Sequence, residues 1–169
     1  MPTQTYTPIE SRTLTSATTT VTFSSIPATY TDLILVANTI VSSGTGAELS
    51  IRFNSDTATN YSNTYLLGTG SATATGRGTS FTYADCGYLS SNSGNPNTRI
   101  LHIQNYANTT TYKTIISRAS GVNGAQVTAY VNLWRKTPEA INSITIFSAS
   151  SLTYATGSTF TLYGIKAGS

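Results

Sequence analysis

Apolar and polar positions alternate along much of this chain in short runs. In Gln126–Trp134, Val127, Ala129, Val131 and Leu133 share one side, and Thr128, Tyr130, Asn132 and Trp134 share the other. A period of two is the signature of a β-strand with different surroundings on its two faces. Leu33-Ile34-Leu35-Val36 is apolar on both sides, so it is expected inside a sheet, its second face covered by a loop or a partner. The same pattern predicts strands at Ser11–Leu14, Thr18–Phe23, Asp32–Ile40, Glu48–Phe53, Tyr61–Leu67, Thr79–Ala84, Arg99–Tyr106, Tyr112–Arg118, Ser143–Ser148 and Thr159–Ile165. Helical periodicity is not sustained over three turns anywhere, and Thr137–Ala140 is expected to hold one helical turn.

Between these runs lie clusters of turn-forming residues: Ser42–Gly46, a small-residue loop at Gly68–Gly78, Asn92–Asn97 and Ala107–Thr111. Many short strands separated by polar turns predict an all-β fold, a single-domain antiparallel β-sandwich of jelly-roll-like character. Residues 1–10 are expected to form an extended N-terminal arm, because Pro2 and Pro8 keep it out of a central strand, and residues 11–169 the sandwich.

Composition sharpens this picture. Only 9% of the residues are charged, and serine and threonine make up about a third of the chain. Eleven tyrosines and five phenylalanines argue against disorder. Threonine, β-branched and stiff at χ1, suits the outer face of a sheet. A chain of 169 residues can bury a sizeable core without a bridge, and the single Cys86 cannot form one internally. The net charge is +3, but the basic residues are scattered and only Arg135 and Lys136 are adjacent. Nucleic-acid binding needs a basic stripe along phosphates, so it is not expected. Apolar runs are far shorter than the roughly 20 residues of a membrane span. Met1–Ser11 has no apolar segment of the kind a secretory signal carries, so no membrane partner or secretory route is expected.

Catalysis is hard to assemble from these residues, and the chain is expected not to be an enzyme. The one histidine, His102, excludes a site built on several. A Cys86–His102 nucleophile pair has no flanking signature, and a packed histidine with a buried thiol explains both residues. The six carboxylates stand apart in sequence, without the pairing that glycoside hydrolysis needs. Gly68–Gly78 lacks the lysine and hydroxyl of a phosphate-binding loop. No cofactor is expected. Asn54, Asp56 and Asn60 offer several oxygens in one loop, a weak candidate for a cation, though Asx turns account for the same residues. Tyr61, Tyr65 and Tyr130, with Trp134 beside Tyr130, could stack on sugar or pack in a core or subunit interface.

Several segments are familiar as a group. Phe23-Ser24-Ser25-Ile26-Pro27-Ala28-Thr29-Tyr30-Thr31-Asp32-Leu33 resembles a stretch common in small structural proteins of tailed bacteriophages. So do Arg52–Asp56 with Asn60-Tyr61-Ser62, Leu133-Trp134-Arg135, and the closing Gly157–Ala167. The resemblance runs over nearly the whole chain. It implies a virion protein made in the host cytoplasm: a capsid decoration, or cement, protein that binds the major capsid protein and stabilises the assembled shell. The alternative it implies is a tail-fibre or receptor-binding domain gripping host-surface glycan. Low charge and abundant tyrosine suit interface cores, so a homo-oligomer is expected, and the resemblance favours a trimer. Tyr6, Ile9, Tyr130 and Trp134 are the candidate interface anchors.

The arm poses an energetic problem. Ordering ten residues costs on the order of 10 kcal/mol in backbone entropy. Burying Tyr6 and Ile9 returns only about 3–6 kcal/mol. Main-chain hydrogen bonds to a sheet edge would supply the rest, and that edge is expected on a neighbouring subunit or on the capsid protein.

Overall fold

The structure is a computed structural model, and it describes residues 5–42, 46–90, 94–121 and 126–166. Residues 1–4 of the expected arm and parts of the Ser42–Gly46 and Asn92–Asn97 turn clusters lie outside the described residues. Among the described residues there are twelve strands and no helix: β1 (Tyr6–Thr13), β2 (Thr20–Phe23), β3 (Asp32–Ile40), β4 (Gly46–Phe53), β5 (Tyr61–Gly68), β6 (Thr73–Phe81), β7 (Ala84–Ser90), β8 (Pro96–Ile103), β9 (Lys113–Gly121), β10 (Val127–Trp134), β11 (Ile144–Phe147) and β12 (Thr159–Ile165). The chain is the antiparallel β-sandwich that its patterning predicts. Its layers are unequal: an eight-stranded sheet in the order β1-β12-β3-β8-β9-β10-β5-β6 and a four-stranded sheet in the order β2-β11-β4-β7. The chain crosses between the sheets repeatedly, which gives the fold its jelly-roll-like character.

The core lies between the sheets. From the large sheet come Leu33 and Leu35 of β3, Leu101 and Ile103 of β8, Ile115 of β9, Tyr61 of β5 and Phe160 and Leu162 of β12. They meet Val21, Phe23, Leu49, Ile51, Phe53, Ile144 and Ile146 of the small sheet. Further along the inner face the filling turns polar. Arg99, fully buried, donates from Nη1 to Thr39 Oγ1 at 3.1 Å and from Nη2 to Gly87 O at 3.1 Å. Gly87 is required there: its φ is +110°, and a Cβ would stand 2.6 Å from Thr128 Oγ1, so only glycine lets β7 lie this close to β10.

Three expectations need correction. Gly68–Gly78 is not simply a loop, because Thr73–Gly78 pairs with β5 in unbroken register. The stretch reads as a loop for want of side chains, but the Tyr65 ring fills the space over Gly76, where a Cβ would stand 2.7 Å from it. The strand expected at Thr79–Ala84 straddles the break between β6 and β7. Thr137–Ala140 holds no helical turn.

The N-terminal segment also differs from the expected arm. Tyr6–Thr13 pairs antiparallel with β12 of the same chain, from Tyr6↔Ile165 to Thr13↔Thr159. The sheet edge needed to order this segment is therefore supplied within the chain, and Ser11 marks no boundary. Ile9 is half-buried against the core, and Tyr6 remains exposed with its ring edge-on to Tyr163 at 6.3 Å.

Candidate functional site

β10 is turned the opposite way from its aliphatic content. Tyr130 and Trp134 point into the sandwich, 6% and 2% exposed, with Thr128 and Asn132 beside them. Val127 and Val131 point out, 58% and 49% exposed. Volume decides the orientation: a buried aromatic ring removes about 150–250 Å² from water, more than a valine can. Trp134 packs against Phe53 at 5.4 Å and Tyr61 at 6.3 Å, and Tyr130 stacks on Tyr65 at 5.0 Å.

Register carries the exposed aliphatic groups into neighbouring strands. Ile34, His102, Ile116, Val131, Thr64 and Arg77 fall in one row across β3, β8, β9, β10, β5 and β6. Val36, Ile100, Arg118, Ala129, Leu66 and Thr75 form the next row. Leu66 is 60% exposed and Ile116 42%. With Val127 and Val131 they make a contiguous aliphatic surface on the open side of the large sheet. Two shallow grooves flank Val127: one of about 330 Å³ beside Ile100 and Arg118, the other of about 520 Å³ beside Leu66 and Thr75. Surfaces of this kind mark places where proteins bind other molecules.

The charge on this face is positive. Arg77 and Arg118 are exposed and form no ion pair among the described residues. Asp32 is already engaged at the face's end, its Oδ2 2.8 Å from His102 Nε2 and its Oδ1 accepting from Asn105 N at 2.7 Å. The surface can thus cover an apolar patch and offer two guanidinium groups to acceptors around it.

Of the four residues expected to anchor an interface, Tyr130 and Trp134 are core residues and cannot do so. Tyr61 is fully buried as well, and Tyr65 is held against Tyr130, so these rings do not form an exposed sugar platform. Tyr6 is exposed, but Ile9 packs on its own domain.

The loop proposed for a cation is filled by N–H donors. Asp56 Oδ2 accepts from Asn60 Nδ2 at 2.8 Å and Trp134 Nε1 at 2.7 Å, and its Oδ1 accepts from Ala58 N at 3.0 Å. Burial pushes the Asp56 carboxyl up, but these three donors and the Lys136 charge together hold it below its ordinary value. Asn54 Oδ1 accepts from Asn142 N and Ser143 N, while its Nδ2 donates to Glu139 Oε1 at 2.8 Å. Asn54 and Ser55 adopt positive φ, and Asp56 N closes the turn on Phe53 O at 2.8 Å. The oxygens that suggested a metal instead knot the β4–β5 turn to the core tryptophan and to the segment before β11. Cys86 and His102 are also separated: Cys86 is fully buried on β7, where desolvation raises its thiol, and His102 lies on the outer face of β8. His102 is not packed inside its apolar run, since alternate residues of that run face opposite ways.

The face itself was missed in the sequence because either side of β10 qualified as the buried one. The available signal was the ring content of Tyr130 and Trp134, which outweighs the aliphatic volume opposite.

The molecule is thus an unequal all-β sandwich whose large sheet leaves an aliphatic face open. No protein-family model matches the chain, and no curated protein matches it. Among solved structures it is similar to a toad ovary galectin in complex with thio-digalactose, at 9% identity over 86% of this chain and 98% of that one, with a TM-score of 0.35. It is also similar to a protein of unknown function from Shewanella oneidensis, at 9% identity over 86% of this chain and 62% of that one, with a TM-score of 0.31. Likeness at this level carries no argument about function.

Proposed function

We propose that this chain is a bacteriophage virion structural protein, a capsid decoration protein that docks on the major capsid protein through the open face of its eight-stranded sheet. The observation that supports this reading is the aliphatic face of the large sheet, where Val127 and Val131 of β10 stand in water with Leu66 of β5 and Ile116 of β9. Burial of aliphatic surface is worth about 25 cal/mol per Å², so covering this face favours the assembled state over the free one. By linkage, a protein that binds only the assembled shell stabilises it. The segments that resemble phage structural proteins point the same way, and the reading includes self-association. Proteomic quantification of purified virions tests it. A copy number comparable to that of the major capsid protein is expected. Absence from the particle, or a handful of copies at the tail, contradicts it.

A further inference from the structure

We infer that β6 is an edge at which a second copy of this chain adds, strand against strand about a two-fold axis, so that two eight-stranded sheets join into one. The two edges of the large sheet are finished differently.

An edge strand presents a row of unpaired N–H and C=O groups, and natural sheets guard such rows with proline, charge and bulges. The β1 edge carries all three. Pro8 lacks a donor, the register with β12 breaks between Pro8 and Glu10, and Arg12 Nε meets Glu10 Oε1 at 2.6 Å on the exposed strand. The β6 edge carries almost none of this. From Thr73 to Gly78 it contains no proline and no acid, and its register with β5 is continuous. Its break comes only at the far end, opposite Ser62, where Ser80 takes a φ of 62°. Thr73, Ala74 and Thr75 are exposed, and Gly76 and Gly78 add no side chain, so the side chains of this stretch leave room for an approaching strand.

These features select the partner. Small side chains allow β6 to lie antiparallel to its own image without clash. The one charge, Arg77, lies off the middle of the regular Thr73–Gly78 stretch, so a two-fold axis near Thr75 sets it opposite Thr73 of the other copy. Symmetric pairing consumes both open edges and leaves the guarded β1 strands at the two ends, so growth stops at the dimer. A head-to-tail ring, which the expected trimer would need if it formed through these edges, would place β6 on β1, where Pro8 and the bulge oppose it. The dimer also sets the two open faces side by side on one surface.

The test is sedimentation of the full chain together with a cysteine scan. Thr73→Cys, Ala74→Cys, Thr75→Cys and Arg77→Cys are made singly and oxidised. Cys86 is fully buried, so the added thiol is the one that reacts. In a two-fold antiparallel pair only residues beside the axis meet their own images, with Cβ atoms about 4.5–5.5 Å apart. A dimer at micromolar concentration is expected, with rapid cross-linking at one or two adjacent scan positions. Thr75→Lys, which places two ammonium groups near the axis, should weaken the dimer about tenfold. A chain that stays monomeric, cross-linking that is uniform along β6, or cross-linking that favours Thr13→Cys on β1 or Val131→Cys on the open face overturns the inference.

Discussion

The two sheets of this sandwich turn different backs to the solvent. The four-stranded sheet is finished for water: its outward positions include Thr20, Thr22 and Thr145, with Thr22 Oγ1 bonded to Thr145 Oγ1 at 3.3 Å. Of its outward rings, Phe147 is capped by the Arg52 guanidinium at 4.3 Å and met edge-on by Tyr83 at 5.8 Å, while Tyr88 on β7 is 47% exposed and carries a polar hydroxyl. Among the described residues, the eight-stranded sheet has no such cover over Val127, Val131, Leu66 and Ile116. Both sheets put aliphatic and aromatic side chains into the shared core, and the large sheet adds the buried polar groups of Arg99, Thr128 and Asn132. Under the proposed function the difference has a reason: the back of the small sheet meets solvent, and the back of the large sheet is covered by a partner.

The largest effect is expected inside the sandwich. Trp134→Ala removes the ring that sets the orientation of β10, and a loss of about 3–5 kcal/mol is expected in urea unfolding. If the loss is below about 1 kcal/mol, Trp134 does not decide which face of β10 is buried. The next effect is at Asp56. Replacing it with alanine leaves Trp134 Nε1–H and Asn60 Nδ2 without their acceptor, at a cost of about 1–3 kcal/mol. The pH dependence has a definite sign. The folded-state value of Asp56 is depressed, so its contribution is fully present above the ordinary carboxylate value near 3.8 and is lost as pH falls through the lower folded value. Acid titration of stability should therefore lose a component in the wild type that the Asp56→Ala chain lacks.

The smaller effects sharpen the contrast between the two backs. Arg52→Ala uncovers Phe147 and should cost about 0.5–1 kcal/mol. Val131→Thr on the large sheet should change the stability of the free chain by less than about 0.5 kcal/mol, because the side chain is already half in water. If Val131→Thr destabilises the free chain more than Arg52→Ala does, the open face is part of the fold's own packing rather than a surface held for a partner.

Much of the fold was legible in the sequence, for physical reasons that also mark where legibility stops. Asp32–Ile40 and Thr159–Ile165 stand out because each is a β-branched or aliphatic run bounded by turn residues, and both match β3 and β12 end to end. β6 was hidden because Gly76 and Gly78 carry no side chain to alternate, and the ring that covers Gly76 comes from Tyr65 on another strand. The docking of Tyr6–Thr13 on β12 was hidden because its stabilisation comes from main-chain bonds, which leave no trace in side-chain pattern. At the open face, periodicity split β10 correctly into two sets, Val127-Ala129-Val131-Leu133 and Thr128-Tyr130-Asn132-Trp134. It could not say which set faced in, because that depends on the total volume available between two sheets.

Under the proposed function the open face of the large sheet is covered in the assembled virion. Hydroxyl-radical footprinting of the free protein and of purified virions measures this side chain by side chain. Leu66, Ile116, Val127 and Val131 should be oxidised readily in the free chain and strongly protected in the virion, while Phe147 on the opposite back changes little. Equal oxidation of the four aliphatic residues in both states would contradict it.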